Sequence, residues 1–269
     1  MKKLLLFAAI AIASINVSHA QFNLGKALKS GAKVVKAATL TDEQMAAYVK
    51  EYIEWLDANN PVCEGECPYA VRLAKITKNI NDESINIKAY RVIDVNAFAC
   101  ADGSIRVFAG LMDIMSDQEI LGIVGHEIGH IKNSDSKDAF RTALLASALR
   151  DGISSAGGTA AQLSNSQLGG LGEAVANSAF SKDQEHKADE YGYNFLKEHN
   201  ENPWAMAQSF EQLKKMMEEM GAEKSNAVQQ LFSTHPDLDN RIKRMTKKAE
   251  SEGIARPVDA TDENVASAQ

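Results

Sequence analysis

Residues 126–130 read His126-Glu127-Ile128-Gly129-His130, and no other feature of the chain restricts its fold as much. Two histidines at i and i+4 project from one helical face, so both rings reach a single metal ion if the segment is helical. Ile120, Leu121, Ile123, Val124, Ile128 and Ile131 flank them, which predicts a buried helix. Imidazoles without partners are costly there. Histidines satisfied by core hydrogen bonds are the competing reading, and a shared metal is the preferred one. Ser116 with Glu119 three residues on has the form of a capping box that opens this helix. Glu127 then lies beside the metal position as the candidate general base.

Two histidines leave a tetrahedral zinc short of a protein ligand, and a catalytic site supplies a third while keeping the fourth position for water. Glu185 is the best candidate, because Asp189 follows it at i+4 and from the same face can hydrogen-bond a metal-binding imidazole. Asp183, His186 and Glu190 are rivals, and spacing does not choose between Glu185 and His186. His235 precedes Pro236 and by itself reads as a turn residue.

Elsewhere the pattern is mostly helical. Thr41 with Gln44 caps a helix running to about Ala58, and Asn59-Asn60-Pro61 ends it. A helix is expected from Pro68 to Asn79, then strand residues Ile85, Ile87, Val92, Ile93 and Val95. Asp102-Gly103 separates Ala97–Ala99 from Ile105–Phe108 as a hairpin turn does. Helices are expected over 137–150, 173–198, 203–220 and 237–251. Gly152 to Gly172, rich in Gly, Ser and Ala, is expected to form a mobile loop or a helical lid.

The first residues set the compartment. Lys2 and Lys3 precede an apolar run from Leu4 to Ala13 that ends at Ser18-His19-Ala20, which predicts a signal peptide over 1–20, cut after Ala20, and export to the periplasm or medium. Residues 21–40 form a basic amphipathic segment. Its 22–38 stretch reads as an ordinary packing helix or frayed terminus, with contact to an anionic membrane surface as the alternative. A single domain over 41–252 and a disordered tail over 253–269 complete the expected organisation. The formal charge is −7 and falls further when Lys2 and Lys3 leave, which argues against nucleic acid as a partner. Of three cysteines, Cys63 and Cys67 flank a Gly-centred turn and suit a staple, although Cys100 could capture either one.

Four stretches together resemble family forty-eight of the metallopeptidases. They are Asn96 to Ala99 with Gly103, Ile105, Val107, Gly110 and Leu111; the 126–130 motif; Ser181 to Asp189; and Ser233-Thr234-His235-Pro236 followed by Arg241-Ile242. They stand in the family's order over about residues 40–250. The chain departs from it at Cys100-Ala101-Asp102, where relatives often carry Pro or Gly after the Ala, and in having no hydrophobic membrane spans.

The resemblance implies a mainly helical α+β fold, a gluzincin-like zincin with a small sheet beside the motif helix. It also implies one zinc per chain on His126, His130 and Glu185, with Asp189 behind an imidazole and His235 donating to the oxyanion of the tetrahedral intermediate. Arg241 and Asn96 would contact substrate or brace the site. Substrate would lie along a strand edge, with Asn96 to Ala99 and Ile105 to Phe108 as candidates. The expected function is an exported zinc metalloendopeptidase acting on unfolded or misassembled cell-envelope proteins. Two alternatives stand beside it: a zinc-containing, chaperone-like binding module without proteolysis, and a zinc hydrolase acting on a non-protein substrate.

Overall fold

The structure, a computed structural model, describes residues 41–151, 163–176, 178–220 and 231–257. The signal segment, the amphipathic segment, part of the expected lid and the tail beyond 257 lie outside the described residues. The fold is α+β and mainly helical. In chain order come α1 (Asp42–Asn59), β1 (Val62–Cys63), α2 (Pro68–Thr77), β2 (Asn86–Tyr90), β3 (Ala97–Ala99), β4 (Ser104–Phe108), α3 (Ala109–Ile114) and α4 (Asp117–Lys132). They are followed by α5 (Asp135–Asp151), α6 (Asn165–Ala176), α7 (Lys182–Glu198), α8 (Trp204–Met220) and α9 (Leu238–Ser251).

Local chemistry sets several of these boundaries. Thr41 with Gln44, Ser116 with Glu119 and Ser181 with Gln184 each form a complete capping box, so α1, α4 and α7 start where otherwise orphaned amide groups find side-chain acceptors. The expected continuous helix over 173–198 is therefore two helices. Asp102-Gly103 closes the β3–β4 hairpin, with Gly103 N–H donating to Cys100 O at 3.1 Å. Gly103 has φ +88°, and a Cβ there would lie 1.9 Å from Ser84 O, so only glycine fits.

The four strands stand in the order β1-β2-β4-β3. β1–β2 and β3–β4 are antiparallel, and β2–β4 is parallel. β4 is thus paired on both sides, which corrects the expectation that Ile105 to Phe108 offers an edge; β3 is the edge beside α4. The expected strand residues Val92, Ile93 and Val95 also lie outside the sheet. There Val92 O accepts from Gly110 N–H at 3.0 Å, Arg91 N–H donates to Pro61 O at 2.8 Å, and Ile93 is 90% exposed, so the chain turns away after Tyr90 to reach β3.

α4 runs through the main core, buried from Ile120 to His130, with β3, α7 and α8 around it. It approaches α7 closely, because a Cβ on Gly125 would lie 3.2 Å from Gly192 Cα. That proximity brings the histidine helix against the helix carrying Glu185. A second core joins α1, α5 and α6 through Tyr48, Tyr52, Phe140, Leu144, Leu168 and Leu171. Asp57 of α1 ties the two parts together, accepting from Arg106 Nε on β4 at 2.8 Å and from Tyr90 Oη on β2 at 2.6 Å. Cys63 and Cys67 form a disulfide with a Cα–Cα distance of 5.6 Å, and Cys100 is a buried free thiol.

Two segments differ from expectation near the chain's end and in the lid. Gly253 to Pro257, expected to belong to a disordered tail, is held in part: Ile254 packs on the main core and its carbonyl accepts from Trp204 Nε1 at 2.8 Å. Of the Gly152–Gly172 stretch, residues 165–172 belong to α6, and 152–162 lie outside the described residues.

Candidate metal centre

His126 and His130 stand one turn apart on α4, with Nε2 atoms 3.1 Å apart. Glu185, in the first turn of α7, faces both: Oε1 lies 3.5 Å from His130 Nε2 and Oε2 lies 3.8 Å from His126 Nε2. Donor atoms at 2.0–2.2 Å from a tetrahedral ion lie about 3.3 Å from one another, so these spacings fit one ion between the three side chains. A second observation agrees. Glu185 Oε2 is buried and receives no hydrogen bond, even though Arg241 Nη1 lies 2.7 Å away; the ion pair offers charge without a well-aligned donor. A carboxylate oxygen with this open lone pair, next to two imidazole nitrogens, is a borderline-soft donor set suited to zinc.

Each imidazole is held from behind. His130 Nδ1 lies 3.0 Å from Asp135 Oδ2, and Asp135 Oδ1 accepts from Gln184 Nε2 at 2.9 Å. His126 Nδ1 lies 3.0 Å from Asp189 Oδ1. Arg241 of α9 donates to Asp189 through Nε and Nη2 and stacks over Phe210 at 4.1 Å. Carboxylates behind metal-binding histidines fix the ring orientation and the tautomer. Phe180 stacks on the His130 ring at 3.9 Å, and its amide donates to Thr234 O at 3.0 Å.

Electrostatics follow from this packing. Burial, the Arg241 charge and His130 hold the His126 pKa below its usual value, despite Asp189. Burial would also lower His130, but Asp135 and Glu185 overcome it and raise its pKa to about 9. Glu185 stays ionised: burial opposes this, while His235 and Arg241 push its carboxyl far below the ordinary range.

His235, three residues before α9, places Nδ1 2.9 Å from Glu185 Oε1. Its ligand atom falls, with those of His126, His130 and Glu185, within a 4.8 Å group. Glu127 is buried, and among the described residues its carboxylate has no hydrogen-bond or ion-pair partner. It lines a cavity of ≈30 Å³ with His126, His235 and Ala97 of β3, room enough for a water molecule.

The rival ligands lie elsewhere. His186 is exposed, Asp183 pairs with Lys187, and Glu190 pairs with Lys248. Asn96 contributes its backbone, accepting from Phe108 N–H at 3.0 Å, and no side-chain bond to the site is seen among the described residues. Arg241 braces Asp189 and Glu185. Sequence reasoning missed Asp135, Gln184 and Phe180. The only forewarning was the i+5 acid after His130, which does not share its helical face.

A mainly helical zincin-like fold carrying this site defines a metallopeptidase. The sequence matches Peptidase family M48 over residues 71–249. It is 36% identical to the metalloprotease LoiP of Escherichia coli over 94% of this chain and all of that one. It is 35% identical to the metalloprotease YcaL of the same organism, over 93% and 99%, and 27% identical to an HtpX protease homologue of Thermococcus sibiricus over 60% and 66%. The chain belongs to peptidase family M48. No helix among the described residues is long and apolar enough to cross a membrane.

Proposed function

We propose that the chain is an exported zinc metalloendopeptidase that hydrolyses peptide bonds in unfolded or misassembled cell-envelope proteins. Glu127 carries the reading. Its side chain is buried beside the histidines and lines a water-sized cavity, where a general base can reach a water molecule. Zinc held by His126, His130 and Glu185 would supply Lewis acidity to the scissile carbonyl and to water.

The chain's own residues do the rest. Glu127 takes the proton of the attacking water and passes it to the leaving amide nitrogen. His235 donates to the developing oxyanion, and Asp189 with Arg241 keeps His126 oriented and neutral. The free edge of β3, whose Ala97 borders the cavity, pairs with an extended substrate through main-chain hydrogen bonds, which suits many sequences. The signal-like residues 1–20 support export, and a single peptidase unit over 41–252 fits the span of the family match.

Cleavage of casein by wild type and by Glu127→Gln, scored by fragment mass together with zinc content, tests this. The variant is expected to keep zinc and to lose nearly all cleavage. Zinc-loaded wild type that cuts neither casein nor unfolded envelope proteins would overturn the peptidase reading in favour of a binding module.

A further inference from the structure

A cleft of ≈640 Å³ opens between the start of α7 and α9 as far as Lys247. Five of its lining side chains are Lys or Arg and three are carboxylates. Those carboxylates are already engaged: Asp183 with Lys187, Asp237 with Lys182 and Glu185 with Arg241, each at 2.7 Å. Lys243 and Lys247 stand on successive turns of α9, are exposed, and make no ion pair among the described residues. Arg244 reaches Asp189 only at 3.7 Å. The cleft is therefore a local surplus of positive charge on a chain with 36 acidic and 29 basic residues. Such a concave patch of one sign raises the local concentration of oppositely charged ligands.

Its position gives the charge a use. Glu185 of the candidate metal group and Arg241, which pairs with it, both line the cleft, so an occupant of the cleft lies beside a chain held across the metal. We propose that this cleft is a subsite for Asp and Glu side chains of the polypeptide substrate, with Lys243 and Lys247 as its specificity-determining residues. The proposal rests on the peptidase reading above and adds a substrate preference to it. A polypeptide fits better than an anionic membrane, because the shared wall couples the cleft to the site of cleavage and a bilayer surface needs no such coupling.

The test uses the full zinc-loaded chain and two fluorogenic peptides that differ only in Glu or Gln at positions flanking the scissile bond. Wild type should favour the acidic peptide in kcat/KM, mainly through KM, and the preference should fade with salt. Lys243→Glu/Lys247→Glu should lower the acidic-to-neutral ratio by roughly tenfold or invert it, with Lys243→Gln/Lys247→Gln between. Both changes are on exposed positions, and circular dichroism checks the fold.

A second arm is independent of turnover: anisotropy of the labelled acidic peptide on Glu127→Gln, with and without the charge reversals. Binding lost on reversal supports the subsite even if no cleavage is found, which separates its failure from failure of the peptidase reading. Equal binding and an unchanged cleavage ratio overturn it. So does loss of binding to phosphatidylglycerol vesicles on reversal while the peptide ratio stays unchanged, since the cleft would then face lipid.

Discussion

His235 and Glu185 share a hydrogen bond, yet the two side chains are assigned different work, and substitution separates them. Glu185→Ala removes one of the three proposed metal donors and should empty the site, whereas His186→Ala, on the exposed face of the same turn, should keep its zinc; the reverse result would move the ligand role to His186. His235→Phe leaves His126, His130 and Glu185 in place. It should retain zinc while kcat falls roughly a hundredfold or more, the scale for losing an oxyanion donor. Zinc lost together with activity in that variant would make His235 a ligand. The pair at 126 and 130 was legible in sequence because it depends only on helical periodicity. Asp135 was not. It follows Ser134, whose φ of 65° ends α4, and that backward turn, which no periodicity encodes, carries Asp135 to His130 Nδ1.

At the scale of elements, helix starts were legible wherever a side chain caps its own backbone, as at Thr41 and Ser116. The break between α6 and α7 was signalled in the same way by Ser181 and Gln184, but apolar periodicity runs through both helices and hid it. Strand order was not legible, since Ile87 and Val92 are equally good strand residues and only tertiary pairing decides that one is in the sheet and the other outside. The tie between α1 and the sheet is a further long-range feature. Arg106 is only 2% exposed, and its guanidinium is balanced by Asp57. Burial would raise the Asp57 pKa, but hydrogen bonds from Arg106 and Tyr90 and the Arg106 charge hold it at about 2. A carboxyl depressed on folding contributes stability above its unfolded pKa near 3.8 and loses it as pH falls toward 2. Asp57→Ala should cost about 3 kcal/mol at neutral pH, because it strands a buried charge. Urea midpoints should show the gap between wild type and variant narrowing from pH 4 to pH 2. A gap that stays constant would mean that packing, rather than this ion pair, carries the effect.

Across the whole molecule the two hydrophobic cores divide the labour. One surrounds α4, α7 and α8 and contains the metal centre, and the other joins α1, α5 and α6. The three donors proposed for the metal, His126, His130 and Glu185, stand on α4 and α7, so on that proposal its binding free energy acts on the first core. The apo state has its own partial compensation: Arg241 pairs with both Glu185 and Asp189, and the proton held by His130 between Asp135 and Glu185 offsets further negative charge. The metal-free protein should therefore remain folded and not collapse as small zinc modules do. Zinc at a hundredfold excess over its Kd adds about 2.7 kcal/mol to the folded state. Hydrogen exchange followed by mass spectrometry, with zinc and after chelation, locates that gain. Amides of α4 and α7 should exchange faster without metal, while those of α1, α5 and α6 stay the same, because local opening is governed by the contacts each unit retains. Uniform acceleration across both cores would show that they unfold as one cooperative unit, with the Asp57–Arg106 tie coupling them. Faster exchange confined to the second core would contradict the assignment of the donors.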